Sequence, residues 1–277
     1  RILEMLHQEV AILFSLQHPR VVALFDVVEE ADCLRLVMEL ADGDTLESYI
    51  CERGALAEET CGCVFVQVAE GLRYIHSRGV AHRDLKPDNV LVCRSRRGEG
   101  PPEVKLTDFG HSRVVDDHFG AAQGSVGTPL YMAPEVSAGL AAVDDRDADL
   151  WSLGVVLFVM LVGSCPFRGS GVELAREIQR GNFDFWSDDP KPPPSREAQA
   201  LVRALLRVDP RKRVPLDWCL VHPFVAPGGA LFRHLFGGVA APEPSVVEER
   251  YRLPAWLTDA QARQLRADLR TWMLKFR

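Results

Sequence analysis

The chain has 277 residues, 47% of them hydrophobic and 26% charged, with a formal net charge of −7, which is enough to bury a substantial core in one large domain or two small ones. The acidic balance argues against nucleic acid as a direct partner. The longest apolar run, Leu150 to Val162, falls short of the roughly 18 residues a membrane-spanning helix needs, so no membrane partner is expected.

Seven cysteines, at positions 33, 51, 61, 63, 93, 165 and 219, are odd in number and contain no CxxC pair. They fit a reduced, intracellular protein of the cytoplasm and/or nucleus. Cys61 and Cys63 lie two apart on an expected helix, where side chains point to different faces, so they read as packing residues and not as metal ligands. The chain opens on Arg1 without a signal peptide, and its first residues already read as mid-helix.

From Ile2 to Leu16 the apolar residues Ile2, Leu6, Val10, Leu13 and Leu16 recur at helical spacing until His18-Pro19. Two β-rich runs follow within 21–40, separated by the turn-like stretch 29–32, and suit an antiparallel pair. A polar connector, Ala41-Asp42-Gly43-Asp44, leads to a short helix over 46–50. A longer one spans 57–78, with Val64, Phe65, Val68, Leu72 and Ile75 on its apolar face and Gly79 at its end. Val90 to Cys93 and Val104 to Thr107 read as strands, joined by a polar turn with Arg94, Arg96 and Arg97 at its solvated tip.

After Gly110 a stretch rich in Gly, Ala and Ser reads as a loop as far as Pro129. The apolar run 150–162 is a buried helix, and further helices are expected over 172–180 and 196–207. Residues 226–254 lose periodicity and read as a linker. A final amphipathic helix, capped by Thr258 or Asp259, carries Leu265, Leu269, Trp272 and Phe276 on one side with arginines between. Its pattern suits core packing or a simple tail first; inhibition of the site and calmodulin binding are the alternatives.

The chemistry concentrates in His82-Arg83-Asp84-Leu85-Lys86-Pro87-Asp88-Asn89 and in Asp108-Phe109-Gly110. An Asp, a Lys and an Asn within six positions, with a further Asp at a strand end, supply a proton acceptor, a phosphate cation and two hard-oxygen metal ligands, the parts that phosphoryl transfer uses. HRDLKPDN, DFG, the GTPxYxAPE string from Gly127 to Glu135, Asp149-Leu150-Trp151-Ser152 and Asp209-Pro210 with Arg213 occur in that order. Together they resemble the catalytic core of a eukaryotic-type Ser/Thr protein kinase. The strings DFGHS, LLRVDPRKRV and His222-Pro223-Phe224 resemble the calcium/calmodulin-dependent kinase group, and DFGHS most resembles its DNA-damage checkpoint kinases.

The resemblance implies an α+β, bilobal, protein-kinase-like fold. Its parts would be a partial β-containing small lobe over 1–40, a hinge over 41–45, a mainly helical large lobe over 46–225, a linker over 226–256 and a C-terminal helix over 257–277. It implies ATP and Mg²⁺ as cofactors, with Asp84 as base, Lys86 on the transferring phosphate, and Asn89 and Asp108 as Mg²⁺ ligands. Met38 would be the gatekeeper, with Glu39 and Ala41 offering hinge C=O and N–H to the adenine. Glu9 would pair with a strand Lys that this chain does not contain. That Lys and the glycine-rich loop are missing, so the resemblance reads the chain as N-terminally truncated, with weak nucleotide binding and little turnover by itself.

Arg83 implies switching by phosphorylation of the activation loop, at Ser125 first or Thr128 second, by an upstream activating kinase or by trans-autophosphorylation. Glu135 and Arg213 would form a structural pair, Asp149 would fix the HRD backbone, and His82 would pack with Phe109 and Leu13. Thr45 stands where relatives often carry a Glu that contacts ribose and substrate Arg, so a weakened preference for basic protein substrates is expected; the acidic neighbours Asp44, Glu47 and Asp88 are the candidates to substitute for that Glu. The function so implied is phosphorylation of Ser/Thr hydroxyls on proteins, in signalling or checkpoint control. The alternative is a non-catalytic, pseudokinase-like binding module.

Overall fold

Strand β1 (Leu24–Glu29) and strand β2 (Leu34–Met38) form a two-stranded antiparallel sheet, in register from Leu24↔Met38 to Glu29↔Leu34, with an irregularity between Leu24 and Asp26. The computed structural model describes residues 10–30, 33–93, 101–114, 128–139, 144–185 and 192–225. Glu9, Ser125, Gly127, the arginines 94, 96 and 97, the linker and the C-terminal helix lie outside the described residues. The chain divides into Arg1–Leu220, which holds every element named below, and Val221–Arg277, whose described part is a turn closed by Val225 N–H on the His222 carbonyl at 2.8 Å.

Helix α1 is described over 10–15 and buries Ile12 and Leu13, in keeping with the expected amphipathic segment. The chain then stacks His18 on Tyr74, ring centroids 4.7 Å apart. The first β-rich run starts its strand at Leu24 and not at Val21, because residues 20–22 pair elsewhere: Val22 N–H donates to the Leu106 carbonyl and Leu106 N–H to the Arg20 carbonyl, both at 2.9 Å. Backbone hydrogen bonding thus ties the β1–β2 region to a second hairpin, β4 (Val90–Cys93) with β5 (Glu103–Leu106).

Helix α2 (Leu46–Arg53) runs three residues beyond the expected end, and Thr45 caps it by accepting the Ser48 N–H at 3.1 Å. Helix α3 (Glu58–Ser77) is buried around its whole circumference from Cys61 to Ala69, so both sulfurs of the Cys61-Gly62-Cys63 stretch are packing groups. The apolar run belongs to helix α5 (Asp145–Val162), which begins five residues before Leu150. Asp144 caps it by accepting the Arg146 N–H at 2.9 Å, and Asp145 and Asp147 place negative charge at the positive end of its dipole. At Gly154 an added Cβ would stand 2.8 Å from Leu205 Cβ; the missing side chain sets how closely α5 approaches helix α7 (Arg196–Leu205).

Helix α6 (Gly171–Arg180) matches expectation, whereas α7 ends at Leu205 and not at 207. The four-residue helices α4 (Pro134–Ser137) and α8 (Leu216–Cys219) are too short to show a period in the sequence. Short strands β3 (Val80–Ala81) and β6 (Arg113–Val114) pair antiparallel and flank the catalytic segment. A small antiparallel region and a mainly helical body agree with the expected α+β architecture. Among the described residues no helix is long and apolar enough to cross a membrane.

Candidate active site

The β4–β5 hairpin brings the two proposed metal ligands together. Its ladder runs from Cys93↔Glu103 to Val90↔Leu106 and is extended by Thr107 N–H donating to the Asn89 carbonyl at 3.0 Å. Asn89 and Asp108 therefore stand one residue apart across the same hairpin end. Asn89 closes a 3-10 turn, Pro87–Asn89, in which proline occupies a position needing no donor.

The Asn89 amide nitrogen donates to the Asp84 carbonyl at 2.8 Å and to Asp84 Oδ2 at 3.2 Å. That fixes the amide orientation and leaves Oδ1 with no hydrogen bond among the described residues. Asp108 is exposed, and its Oδ1 accepts the Gly110 N–H at 3.2 Å. A carboxylate and a carboxamide oxygen are the hard donors that suit Mg²⁺, so the residues present fit that ion. Among the described residues no three His, Cys, Asp or Glu side chains gather as a metal cage.

Asp84, 5% exposed, is the hub of the site. Its Oδ1 accepts the Thr128 N–H at 2.9 Å and the Thr128 hydroxyl at 3.1 Å, and its Oδ2 lies 3.0 Å from Lys86 Nζ. Lys86 also donates to Thr128 Oγ1 at 2.9 Å. Burial pushes the Asp84 carboxyl up, but the hydrogen bond and charge of Lys86 and both Thr128 donors outweigh it and hold the group below the usual range. The carboxylate is thus ionised at neutral pH.

The loop before Asp84 is anchored by Asp149 of α5. This fully buried carboxylate accepts the His82 and Arg83 N–H groups, each at 2.8 Å, and lies 2.7 Å from His76 Nε2. Burial pushes the Asp149 carboxyl up, but the hydrogen bond and charge of His76, with the His82 ring and the Arg83 N–H, hold it below its ordinary value. The expected structural role of Asp149 coincides with this geometry; His76, which no local pattern marks, completes it.

His82 is fully buried, with its Nε2 3.1 Å from the Thr107 carbonyl and its ring 5.1 Å from Phe109. Nε2 must therefore carry the proton, and Nδ1 has no hydrogen-bond partner among the described residues. Burial lowers its pKa more than the nearby carboxylates raise it, which suits a neutral packing residue. Arg83 adopts φ +68°, and its Nε lies 3.6 Å from Asp145 Oδ2.

The residues proposed as a hinge lie beside the other end of the hairpin. Glu39 N–H donates to the Ala23 carbonyl at 2.8 Å, and its carboxylate takes Lys105 Nζ at 2.9 Å and the Ala23 N–H at 3.3 Å. The half-buried Ala41 offers an N–H with no hydrogen bond among the described residues. Val92 N–H donates to the Asp44 carbonyl at 2.7 Å, and a Cβ on Gly43 would fall 1.7 Å from the Val92 oxygen, so only glycine fits there. Val92 and Asn89 are three positions apart along this segment, about 10 Å at the rise of a strand.

Farther out, Glu135 and Arg213 form a buried bidentate pair, both bonds 2.6 Å. Arg213 also donates to the Arg207 and Asp147 carbonyls at 2.9 and 2.7 Å, so its donors are well used. Sequence reasoning named Thr128 as a phosphorylation candidate; the structure places its half-buried hydroxyl between Asp84 and Lys86.

Comparison with known proteins adds an independent line. The family model for the protein kinase domain matches residues 2–225. The probable serine/threonine-protein kinase fhkE of Dictyostelium discoideum is 36% identical, over 80% of this chain and 31% of its own. The serine/threonine-protein kinase GIN4 of Saccharomyces cerevisiae is also 36% identical, over 79% of this chain and 19% of its own. A probable myosin light chain kinase of D. discoideum is 38% identical, over 79% and 61%. The chain thus spans less than two thirds of the length of each of these relatives. With the family match running through the catalytic loop, the Asp108 turn and the Glu135–Arg213 pair, the chain belongs to the protein kinase domain family.

Proposed function

We propose that the protein transfers the γ-phosphoryl group of ATP to Ser/Thr hydroxyls of protein substrates. The observation that carries this reading is the convergence of Lys86, Thr128 and Asn89 on the single carboxylate of Asp84. Phosphoryl transfer asks a protein mainly for positioning and for compensation of charge. Asp84, ionised and held from both oxygens, orients the acceptor hydroxyl and takes its proton. Lys86 lies 3.0 Å from that carboxylate, within reach of the group in flight. Asn89 and Asp108 would hold Mg²⁺, which when bound neutralises phosphate charge. Met38, Glu39 and Ala41 would receive the adenine.

The calcium/calmodulin-dependent branch and a signalling or checkpoint role are the finer part of the proposal. They rest on the DFGHS and LLRVDPRKRV strings, with a probable myosin light chain kinase among the relatives in support. The use of Thr45 as a helix cap supports the weakened preference for basic substrates, because its hydroxyl is committed to Ser48.

The test is phosphotransfer from radiolabelled Mg·ATP to a Ser/Thr peptide array, comparing the wild type with Asp84→Asn. Incorporation that falls by about 10²–10⁴ in the variant, with the fold retained, is the expected result. Equal incorporation by the two proteins removes Asp84 from the chemistry, and a strong Arg requirement three residues before the acceptor removes the substrate preference.

A further inference from the structure

Two carboxylates of α5 hold the same residue. Asp149 accepts the Arg83 backbone N–H at 2.8 Å, and Asp145, four residues earlier, places Oδ2 3.6 Å from the Arg83 guanidinium. Positions i and i+4 share one face of a helix, so one rigid surface takes both the backbone and the side-chain charge of the residue directly before Asp84.

The pair is shielded: the Arg83 side chain is 13% exposed and that of Asp145 23%. A guanidinium cannot shed its proton, so a shielded one needs a counter-charge to stay in place. Asp145 lies in the first turn of α5, where the helix dipole favours a negative group. Arg83 moreover holds φ +68°, a backbone state that persists only where the surroundings enforce it.

We propose that Asp145 is a built-in counter-charge for Arg83 and thereby a positioning residue for Asp84, so that turnover does not require a phosphorylated residue in the segment 115–127. The geometry makes Arg83 an internal strut and removes the need for a phosphate to organise the loop. This inference rests on the reading of the protein as a phosphotransferase.

The full chain is treated with a broad-specificity protein phosphatase and assayed with Mg·ATP and a Ser/Thr peptide array, and the Arg83 Nε–H resonance is followed by NMR. The wild type is expected to keep its turnover after dephosphorylation. Asp145→Asn is expected to lose about tenfold in kcat, with the KM for ATP within about twofold, and Asp145→Glu to restore most of it. Wild-type turnover that vanishes with the phosphate overturns the proposal and needs no variant to be seen. Undiminished turnover in Asp145→Asn overturns it equally. The phosphotransferase reading fails where measurable incorporation is equal in the wild type and Asp84→Asn; if the untreated wild type turns over too slowly to measure, the Nε–H signal decides the proposal, a shift in Asp145→Asn supporting it and an unmoved signal overturning it.

Discussion

The buried carboxylate of Asp149 receives the Arg83 N–H at 2.8 Å while Arg83 stands at φ +68°, so a helix side chain holds a left-handed residue directly before Asp84, the proposed base. A non-glycine residue in that region costs about 1–3 kcal/mol, which the surrounding structure must offset. Replacing Asp149 by Ala strips the acceptor from two N–H groups and from His76 together. Loss of about 3–5 kcal/mol in urea unfolding is expected, with turnover falling in whatever protein remains folded. A loss under about 1 kcal/mol would show that the loop does not depend on this carboxylate.

Thr128→Ala removes a hydroxyl that donates to Asp84 and accepts from Lys86, yet leaves the backbone N–H on Asp84 in place. The expected outcome is a kcat lower by about 10- to 100-fold, the worth of a hydrogen bond to a charged group, with little change in stability. Steady-state kinetics beside a thermal melt separate the two. A variant that matches the wild type would place Thr128 outside the catalytic cluster.

For Glu135 and Arg213 the expectation concerns non-additivity. Each single alanine variant leaves the other charge buried and costs about 3–5 kcal/mol. The double variant should cost clearly less than the two losses added, because neither charge is then left alone. Chemical denaturation of all four proteins completes the cycle, and simple additivity would mean the bidentate contact contributes little.

The pH dependence follows from His82. Burial lowers its folded-state pKa below 6.5, so near and below that value the unfolded chain binds a proton that the folded chain refuses. Stability must then fall as pH drops from about 7 toward 5. His18, also lowered by burial, acts with the same sign. Asp84 and Asp149 are lowered in the fold, so their contribution is present at neutral pH and is lost only as acid takes the solution below about pH 4. Thermal midpoints across this range should show both steps, and His82→Phe should flatten the upper one. An unchanged upper slope in that variant would assign it to other groups.

The four residues with catalytic or metal-binding expectations were legible because they are local in sequence: Asp84, Lys86 and Asn89 fall within one loop, and Asp108 lies two residues beyond the strand that pairs with Val90–Cys93. The short apolar run Val90–Cys93, bounded by polar residues, made β4 readable to the residue. Glu135–Arg213 and Asp149 with the HRD backbone, though far apart in sequence, were carried by the family motifs; partners outside those motifs left no trace. His76 meets Asp149 from a helix 73 positions away, and Asp145 meets Arg83 from the start of a helix whose apolar pattern begins only at Leu150. Thr128 carried a signal that pointed two ways, since a hydroxyl in a loop suits a phosphate as well as a hydrogen bond. Val21 and Val22 read as strand and pair as strand, but with Leu106 and not with β2, because β-propensity names no partner.

Asp108 stands at φ +61°, exposed, with Phe109 beside it 1% exposed, so one left-handed step turns a carboxylate outward and a ring into the core. Glycine would adopt that step at lower cost. A library selected only for thermal tolerance should therefore enrich Gly at position 108, while the same library selected for phosphotransfer should purge it. At this one position the fold and the proposed chemistry would compete for the same residue.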